Sequence, residues 1–460
     1  MKIVVCVRQG LDGEISPFDA CAYEEALRID SAEVTLLSMG PSSAKDFLHS
    51  LTRLGAKKAV LLCDKVFAGA DTLATAYALS CAIKTFQPDL VFCGRQTLVG
   101  DTAQTGPMLS EMLNFGLITN VMSIDAISDA IECTTRNGET EKAKLPALIT
   151  VERINNLRLP RLRSKLGEIE VLSAADIGAE ASKCGLAGSP TRVIASFENE
   201  AGKRKCKFIG KDMLESAIKE GLEANAQKFA PAVCEIKLKK VCTVGETPLG
   251  FAKTISDDIT VLEFDSAENL ANKIKELSPN AVIWGSDSKS KKLAALVSAQ
   301  LSLGLCADCT SLETDGKELI MYRPALSGSV IAKIRSLTYP AMATVRTEDS
   351  SKTDVVLGLG FGAKDCLDLA KSFADKKGFG LAATRKLVDN SLAPYSSQVG
   401  LTGCTISPPV YIAAGISGAV HHIVGMQRSG TVVAINPDNH APIFDYADYG
   451  IVAKIEDVFK

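Results

Sequence analysis

The C-terminal part of the sequence reads QVGLTG at 398–403, GISGAVHH at 415–422 and ADYG at 447–450. These segments are rich in glycine and other small residues, which let backbone amides come close to a bound anion. They also contain Thr402 and His422, whose side chains can aim hydrogen bonds at a polar ring. The combination predicts a binding site for a dinucleotide that carries a redox-active head group.

The bulk composition limits the class of protein. At 460 residues the chain is too long for one hydrophobic core, since such cores stop growing near roughly 250–300 residues. Its net charge of −3 provides no positive field for nucleic acid, which we therefore exclude as a partner. The mean hydropathy is +0.14. No apolar run reaches the ~20 residues that a membrane helix requires, so we expect no membrane-spanning segment.

The N-terminus and the cysteines both suggest a cytoplasmic location. The apolar run at 3–7 is followed at once by Arg8, which is typical of a buried parallel strand and not of a cleavable signal. The 14 cysteines are scattered singly, as in proteins of a reducing compartment. One CxxC motif spans 306–309, with no second CxxC or histidine pair at ligand spacing. We interpret these two cysteines as buried or incidental thiols.

The chain contains an internal repeat. The sequence PDLVFCG at 88–94 recurs as PNAVIWG at 279–285, and the segment 110–125 recurs as 298–313. A period of about 190 residues is too long for a solenoid and indicates two related α/β domains in tandem.

Each copy alternates apolar runs with helical patterns, which is the βαβ rhythm of a parallel sheet. We predict an α/β protein with two related doubly wound parallel-sheet domains and a third domain after a polar linker. The expected strands are 3–7, 34–38, 59–63, 90–93 and 147–151 in the first copy, 239–243, 259–263 and 281–285 in the second, and 355–357 after the linker; the expected helices include 20–29 and 71–85. The predicted boundaries are 1–185, an arm at 186–222, 223–346, a linker at 347–354, and 355–460.

The two copies differ where a ligand would bind. The first has GRQTLVGDTAQTGP at 94–107, which puts glycines, hydroxyls and an acid between a strand and a helix, where α/β sheets bind nucleotides. The second has GSDSKSKK at 285–292 in that place. Only the first copy is therefore a good nucleotide-site candidate, and a glycine turn with a helix cap but no ligand is the alternative.

In order and spacing these features resemble the electron-transfer flavoprotein family, with a β-subunit-like part fused ahead of an α-subunit-like part. The β-like features are SPFD at 16–19, ADTLATA at 70–76, the loop 94–107 and GSPT at 188–191; the α-like features are 279–346 and 354–460. The resemblance covers nearly the whole chain. It implies an adenine nucleotide α-hydrolase-like fold for the two sheet domains, a Rossmann-like FAD-binding domain at the C-terminus, and an arm that packs on this last domain.

The resemblance also implies the cofactors: FAD in the last domain, and in the first domain either AMP or, as in electron-bifurcating members, a second FAD. The positions that match the family's FAD site are Thr384, Arg385, Gln398, Val399, Gly400, Thr402, Gly403, Gly415, Ser417, Gly418, His421, His422, Asn436 and Asp448. The positions expected at AMP or the second FAD are Cys6, Gly100, Asp101, Thr102, Ala103, Gln104 and Thr105. We expect Asp101, Thr102, Gln104 and Thr105 to face the phosphates.

Three of the flavin positions have expected roles. The hydroxyl of Thr402 can hydrogen-bond the ring near N5, while Arg385 and His422 can offset negative charge around N1 and O2 on reduction, which would raise the flavin potential. The alternative interpretations are a solvated surface arginine and a satisfied core histidine. The sequence departs from the family at Phe361, where an arginine is usual, and at Leu401, where a glutamine is usual.

The segment RLPRL at 158–162 lies where the family has its partner-recognition loop. Leu162 is therefore the candidate anchor for an acyl-CoA dehydrogenase-like flavoenzyme. An apolar residue among arginines suits docking on an acidic surface. A solvated basic turn is the alternative.

By resemblance the chain is a single-chain electron carrier rather than a substrate-converting enzyme. It would carry electrons through FAD from dehydrogenases of fatty acid oxidation to an acceptor such as a quinone oxidoreductase or ferredoxin. One alternative is a bifurcating member that oxidises NADH with a second FAD. The other is a nucleotide-binding sensor or scaffold without redox function, which Phe361 and Leu401 motivate.

Overall fold

The computed structural model describes residues 1–10, 13–97, 100–161, 163–198, 203–224, 233–326, 328, 330–346, 353–401 and 403–460. The chain forms two compact units. Unit 1 comprises Met1–Ser196, Ala232–Leu326 and Ala332–Val345, and unit 2 comprises Phe197–Pro231, Ser327–Ile331 and Arg346–Lys460. Both copies of the repeat therefore lie in unit 1.

The first copy is built around a nine-stranded sheet. Its elements are β1 (Lys2–Cys6), α1 (Pro17–Arg28), β2 (Glu33–Met39), α2 (Ala44–Thr52), β3 (Lys58–Leu62), α3 (Thr72–Phe86), β4 (Leu90–Gly94), α4 (Thr105–Leu113), β5 (Gly116–Ile127), β6 (Ala130–Thr135), β7 (Thr140–Lys144), β8 (Ala147–Val151) and β9 (Glu168–Leu172). The strand order is β7-β6-β5-β8-β4-β1-β2-β3-β9. The neighbouring pairs β8-β4, β4-β1, β1-β2, β2-β3 and β3-β9 are parallel, whereas β5-β6 and β6-β7 are antiparallel.

The local sequence explains these elements. Strands β4 and β8 are almost continuously apolar because both faces of a parallel sheet are covered. Helix α3 begins where the Asp71 carboxylate accepts a hydrogen bond from the Ala74 amide at 3.0 Å, and it ends at Gln87 in a left-handed conformation. The α/β fold and the parallel strands of the first copy are confirmed. The hairpin β5-β6-β7 was not part of the prediction.

The second copy repeats this topology with fewer strands. The connecting and second-copy elements are β10 (Thr191–Glu198), β11 (Lys207–Phe208), α5 (Leu214–Ala224), β12 (Val241–Val244), α6 (Leu249–Ile255), β13 (Ile259–Leu262), α7 (Ala267–Leu277), β14 (Ala281–Trp284), α8 (Ser288–Leu301), β15 (Leu305–Cys309), β16 (Ser311–Thr314), β17 (Leu319–Ala325), β18 (Val330–Ser336) and β19 (Ala341–Val345). The five-stranded sheet runs β13-β12-β14-β19-β15, which matches β2-β1-β4-β8-β5 of the first copy. A separate four-stranded sheet runs β10-β18-β17-β16.

The two copies share one apolar core in unit 1. Buried side chains of α3 and α4 in the first copy pack with those of α7 and α8 in the second, among them Leu79, Met108, Leu270 and Ala294. At the margin of this contact the Lys292 ammonium lies 3.1 Å from the Glu141 carboxylate. The two sheets therefore form a single compact unit.

Unit 2 is built around a six-stranded sheet. Its remaining elements are β20 (Val355–Leu359), α9 (Leu367–Lys377), β21 (Gly380–Ala383), α10 (Arg385–Asp389), β22 (Val410–Ala414), α11 (Val420–Met426), β23 (Thr431–Ile435), β24 (Tyr449–Ile451) and α12 (Ile455–Val458). The order is β11-β24-β23-β22-β20-β21, with every pair parallel. All the carboxyl ends of these strands therefore meet at one edge of the sheet, as in a Rossmann-like domain.

Residues 203–224 pack on this C-terminal sheet. Strand β11 extends the sheet beside β24, and α5 buries its apolar face in the core. Arg204 fastens the segment: its guanidinium donates to the carbonyls of Gly430 and Ser429 and to the Asp448 carboxylate. Residues up to 196 belong to unit 1 and residues 197–231 to unit 2, and the arm bounds 186–222 stay a prediction. No helix in the described part of the chain is both long and apolar enough to cross a bilayer.

Candidate functional site

Unit 1 contains a cavity of about 590 Å³ at the carboxyl ends of β1, β2 and β4. This volume lies within the range of ligand pockets, roughly 300–1,000 Å³. The connection from β1 leads to β2 on one side, whereas β4 lies on the other side of β1. The cavity therefore opens at the topological switch point of the sheet, where doubly wound α/β proteins bind their ligands.

The two strands at this switch point each have a cysteine near their carboxyl end. Cys6 on β1 is the register partner of Cys93 on β4, and both side chains line the cavity. The interaction with the Cys6 thiol raises the pKa of the Cys93 thiol well above its usual value, and burial adds a smaller effect in the same direction. Cys6 thus lies at the cavity as expected, beside a second thiol that the sequence analysis did not identify.

Three arginines contribute positive charge to the wall. Arg8 follows β1, Arg95 follows β4, and Arg323 comes from β17 of the second copy. Arg95 is largely compensated, because its Nε lies 3.2 Å from the buried Glu152 carboxylate. Arg323 donates to the carbonyl of Asp101 at 3.0 Å, while its Nε has no hydrogen-bond partner among the described residues. This side chain can therefore still donate to an anion in the cavity.

Asp19 is the buried acid of the cavity. Its carboxylate accepts hydrogen bonds from the backbone amides of Arg8 at 2.9 Å and Gly94 at 3.2 Å. A side chain at position 94 would clash with it, which explains the glycine there. Burial raises the pKa of Asp19 to about 7, although both amides and the Arg8 charge oppose the shift. Asp19 joins the first turns after β1 and β4.

The loop after β4 meets the cavity with only some of the expected side chains. Gly100, Thr102, Ala103 and Thr105 line it, as does Cys6.

The other two residues expected at the nucleotide, Asp101 and Gln104, do not line the cavity. Asp101 is buried and absent from the cavity wall, with its carboxylate accepting from the Gln96 side-chain amide at 3.3 Å, and its contact with a phosphate stays a prediction. Gln104 is 1% exposed and absent from the wall, and its amide nitrogen and oxygen have no partner among the described residues. Charge repulsion between a carboxylate and a phosphate gives a physical reason for the position of Asp101.

In unit 2 the predicted flavin residues gather at the carboxyl edge of the sheet. The turns after β20, β21 and β22 meet there, and they approach so closely that a side chain at Gly360 would lie 2.1 Å from the Gly415 carbonyl. Gly400 has a φ of +141°, and a side chain there would lie 2.5 Å from the His421 carbonyl. The segment around Gln398 and Val399 joins this edge through the bond from the Val399 amide to the Ala383 carbonyl.

His422 is a buried, neutral imidazole in this structure. Its Nδ1 lies 3.1 Å from the Val399 carbonyl and its Nε2 lies 2.9 Å from the Tyr411 hydroxyl. The carbonyl must accept a hydrogen from Nδ1, so Nε2 accepts the Tyr411 proton. Burial lowers the pKa of His422 to about 4. The imidazole therefore carries no positive charge in this structure, and its expected role beside FAD stays a prediction.

Positive charge at this edge comes from other side chains. Arg385 lies 3.2 Å from the Asp389 carboxylate, and together with burial its charge lowers the pKa of His421. Two lysines flank the ring of Phe361: Nζ of Lys386 lies 4.3 Å and Nζ of Lys364 lies 5.4 Å from its centroid. The residue that replaces the usual arginine thus holds two cations on its ring faces, an arrangement that the sequence analysis missed.

The other expected flavin positions that the structure describes lie at the carboxyl edge of the sheet, with the exception of Asp448. Asn436 follows β23 at the carboxyl edge, where its side chain donates to the Ile416 carbonyl at 2.9 Å. Ser417 and Gly418 lie in the turn after β22, and Gly403 closes the loop after β21. Thr384 lies in the turn after β21, and its hydroxyl is buried without a hydrogen-bond partner among the described residues.

Asp448 is not brought together with this group. It precedes β24, so it lies at the amino edge of the sheet, where it accepts from Arg204 and the Val432 amide. The structure therefore gives Asp448 a role in fastening the arm. Thr402 lies outside the described residues.

The predicted partner loop is anchored at its base. Arg158 makes a forked interaction with the Glu24 carboxylate, with contacts of 2.9 Å and 3.0 Å. Arg158 is therefore not free to pair with a partner's acids, in contrast to the expectation for this loop. Leu159, next to it, is 87% exposed. Leu162 lies outside the described residues.

Comparison with known proteins adds the family. A model of the electron transfer flavoprotein domain matches residues 3–177 and 260–354, and a model of the electron transfer flavoprotein FAD-binding domain matches 349–427. The electron transfer flavoprotein subunit beta of Thermoanaerobacterium thermosaccharolyticum is 42% identical over 204 residues, which cover 41% of this chain and 78% of that protein. The subunit alpha of the same organism is 34% identical over 240 residues, 42% of this chain and 72% of that protein.

Protein FixA of Azorhizobium caulinodans is 39% identical over 245 residues, which cover 49% of this chain and 86% of FixA. The matches to the two subunit types each cover less than half of this chain. The chain belongs to the electron transfer flavoprotein family, with a part similar to the β subunit fused to a part similar to the α subunit.

Proposed function

We propose that the chain carries electrons through an FAD held at the carboxyl edge of the unit 2 sheet, between flavin-dependent dehydrogenases and a further acceptor. The observation that carries the proposal is the fit of this edge to a dinucleotide. The glycine turns allow close backbone approach, Thr384 has a buried hydroxyl without a protein partner, and three cations lie at the turns after β20 and β21.

The bound flavin would supply the redox chemistry, since it accepts and donates electrons one or two at a time. The residues of this chain bind it and set its potential. Cations near the ring favour the reduced, more negative cofactor, and Arg385 with the two lysines can supply this effect in place of His422. The neutral His422 can instead hold the loop at Val399 in position. These cations also weaken the case for a redox-inactive scaffold.

The proposal is tested on the purified full chain. We expect yellow protein with one FAD bound in unit 2, and reduction by an acyl-CoA dehydrogenase that has been given its substrate. Arg385→Met should lower the flavin midpoint potential, whereas Lys376→Met, an exposed lysine on α9, should leave it unchanged. Protein that stays colourless after incubation with excess FAD would contradict the carrier function.

For the unit 1 cavity we propose an adenine nucleotide, either AMP or a second FAD. The wall extends from Ser38 on β2 across Cys6 and Cys93 to Ala332 on β18. This breadth favours an elongated dinucleotide and thereby supports the bifurcating alternative, in which NADH is oxidised and its electrons are divided between two acceptors. Extraction of the purified chain and a count of both nucleotides distinguishes the cases: two FAD favour bifurcation, and one FAD with one AMP favours the plain carrier.

For the partner we propose docking through the exposed loop that follows Arg158, with Leu159 and Leu162 as apolar anchors. The bond of Arg158 to Glu24 fixes the base of the loop, so it presents the exposed Leu159 at little entropic cost. Leu162→Ala should slow electron transfer from the dehydrogenase and leave FAD binding intact. Leu186→Ala, another exposed leucine, serves as the control. Equal rates for wild type and Leu162→Ala would refute this docking mode.

A further inference from the structure

We propose that Cys6 and Cys93 form a reversible disulfide at the wall of the unit 1 cavity when the protein meets a low-molecular-weight disulfide such as oxidised glutathione. The two thiols line the cavity that we propose for an adenine nucleotide, so the proposal concerns the chain with this cavity empty.

The geometry brings the two sulfurs together. Cys6 and Cys93 are register partners on adjacent parallel strands, so their side chains point to the same face of the sheet. Neighbouring strands lie about 4.8 Å apart. This spacing falls within the roughly 4.4–6.8 Å between Cα atoms that disulfides span. Both side chains line the same cavity, and the Cys6 thiol is the largest cause of the raised pKa of Cys93, so the two sulfurs are close neighbours.

The surroundings give the two thiols different roles. Cys6 is partly exposed and faces the cavity, so a small reagent can reach it. Cys93 is 5% exposed, and the pKa of its thiol is raised. Cys6 is therefore the thiol that reacts first, and Cys93 is the one that resolves the mixed disulfide.

Both steps balance. The Cys6 thiolate attacks one sulfur of oxidised glutathione, a Cys6–glutathione bond forms, and the other half leaves as a thiol after taking up a proton. Cys93 then loses its proton and attacks the Cys6 sulfur, which forms the Cys6–Cys93 bond and releases the second glutathione thiol. Two protein thiols are oxidised and one reagent disulfide is reduced. In the mixed disulfide the Cys6 sulfur is uncharged and has no proton, so the effect of the Cys6 thiol that raises the pKa of Cys93 is removed.

A nearby pair provides an internal comparison. The Cys309 thiol donates to the Cys306 carbonyl at 3.7 Å, and both side chains of this pair are at most 2% exposed. Reagent access therefore favours the Cys6–Cys93 pair. Trypsin separates the two cases, because Ile3–Arg8 and Thr85–Arg95 are different peptides whereas Cys306 and Cys309 fall within one.

The full reduced chain is incubated with oxidised glutathione, alkylated, digested without reductant and analysed by mass spectrometry. We expect Ile3–Arg8 joined to Thr85–Arg95 as the main linked species, reversed by dithiothreitol. In Cys93→Ser the mixed disulfide on Cys6 should accumulate, and in Cys6→Ser the thiol at 93 should stay free. Cys63→Ser, a partly exposed thiol that does not line the cavity, should leave the link unchanged.

The wild-type chain alone can overturn the proposal, even where a variant fails to fold. A stable mixed disulfide on Cys6 without the linked peptides would show that Cys93 does not resolve it. Unmodified thiols at both positions, or a bond confined to Cys306 and Cys309, would likewise refute the assignment.

Discussion

Lys386→Met should weaken FAD binding, because Phe361 holds this lysine at the turn after β20. The Lys386 ammonium lies 4.3 Å from the ring centroid and is exposed to solvent. A unit charge about 4 Å from a phosphate contributes about 1 kcal/mol in water and about 4 kcal/mol at an effective dielectric of about 20. Because Lys386 is exposed, the lower end applies. We expect a loss of about 1.4 kcal/mol, which is about tenfold in Kd.

The assay is titration of the FAD-free full chain with FAD, followed by flavin fluorescence, at low and high ionic strength. At about 1 M salt the Debye length is about 3 Å, so the difference between Lys386→Met and wild type should nearly vanish. Phe361→Leu should show a smaller loss, because it removes the ring that holds both lysines but keeps their charges. Phe361→Arg in the Lys386→Met background should restore most of the affinity.

Lys376→Met is the matched control, since Lys376 is an exposed lysine in the last turn of α9. It changes the net charge by the same amount without touching the Phe361 ring. Equal affinities of wild type and Lys386→Met at low salt would refute the reasoning. So would equal losses in both lysine variants, because the effect would then reflect net charge alone.

Three further predictions concern the fold and the cavity. His422 should lower the free energy of unfolding by about 3 kcal/mol as the pH drops from about 6.5 to about 4, since the unfolded chain protonates it near 6.5 and the folded chain resists until about 4. Protonation of Asp19, whose pKa is raised to about 7, stabilises the folded chain over the same range, so the measurement is the difference between urea titrations of wild type and His422→Asn. Arg204→Met should lower the free energy of unfolding by about 2–3 kcal/mol and speed proteolysis of the arm, because it removes the bonds that fasten the arm to the sheet. Lys211→Met should have neither effect, and unchanged digestion of Arg204→Met would contradict the fastening role. Arg323→Met should weaken AMP binding to the cavity about tenfold by calorimetry, and an unchanged Kd would exclude the phosphate contact.

The sequence predicted the elements that carry the strongest patterns. Buried parallel strands such as β4 read as continuous apolar runs, so their existence and order could be inferred. The hairpins β5-β6-β7 and β16-β17 were missed because their strands alternate between buried and exposed residues and contain many polar side chains. Repetition of a motif indicated the second copy, but only the structure shows that it shares a core with the first.

The candidate sites were predicted where sequence neighbours remain spatial neighbours. The glycine turn at 398–403 and the loop at 100–105 meet this condition. Arg323 does not, because it lies more than 200 residues from the loop that it contacts. The position of Asp448 could not be predicted for a different reason. A motif beside a strand does not reveal which end of the strand it occupies, and Asp448 precedes β24 instead of following it.

The two copies diverge at the switch point of the sheet, where the first copy has its cavity. In the aligned motifs Cys93 corresponds to Trp284, and the register pair Cys6 and Cys93 corresponds to Val244 and Trp284. Trp284 is completely buried, so its indole fills space that a ligand would need. The second copy instead supplies β15, β17 and β18 to the wall of the first copy's cavity, including Arg323. The second copy thus adds a cation to the cavity of the first, and the shared core holds this part of the wall in place.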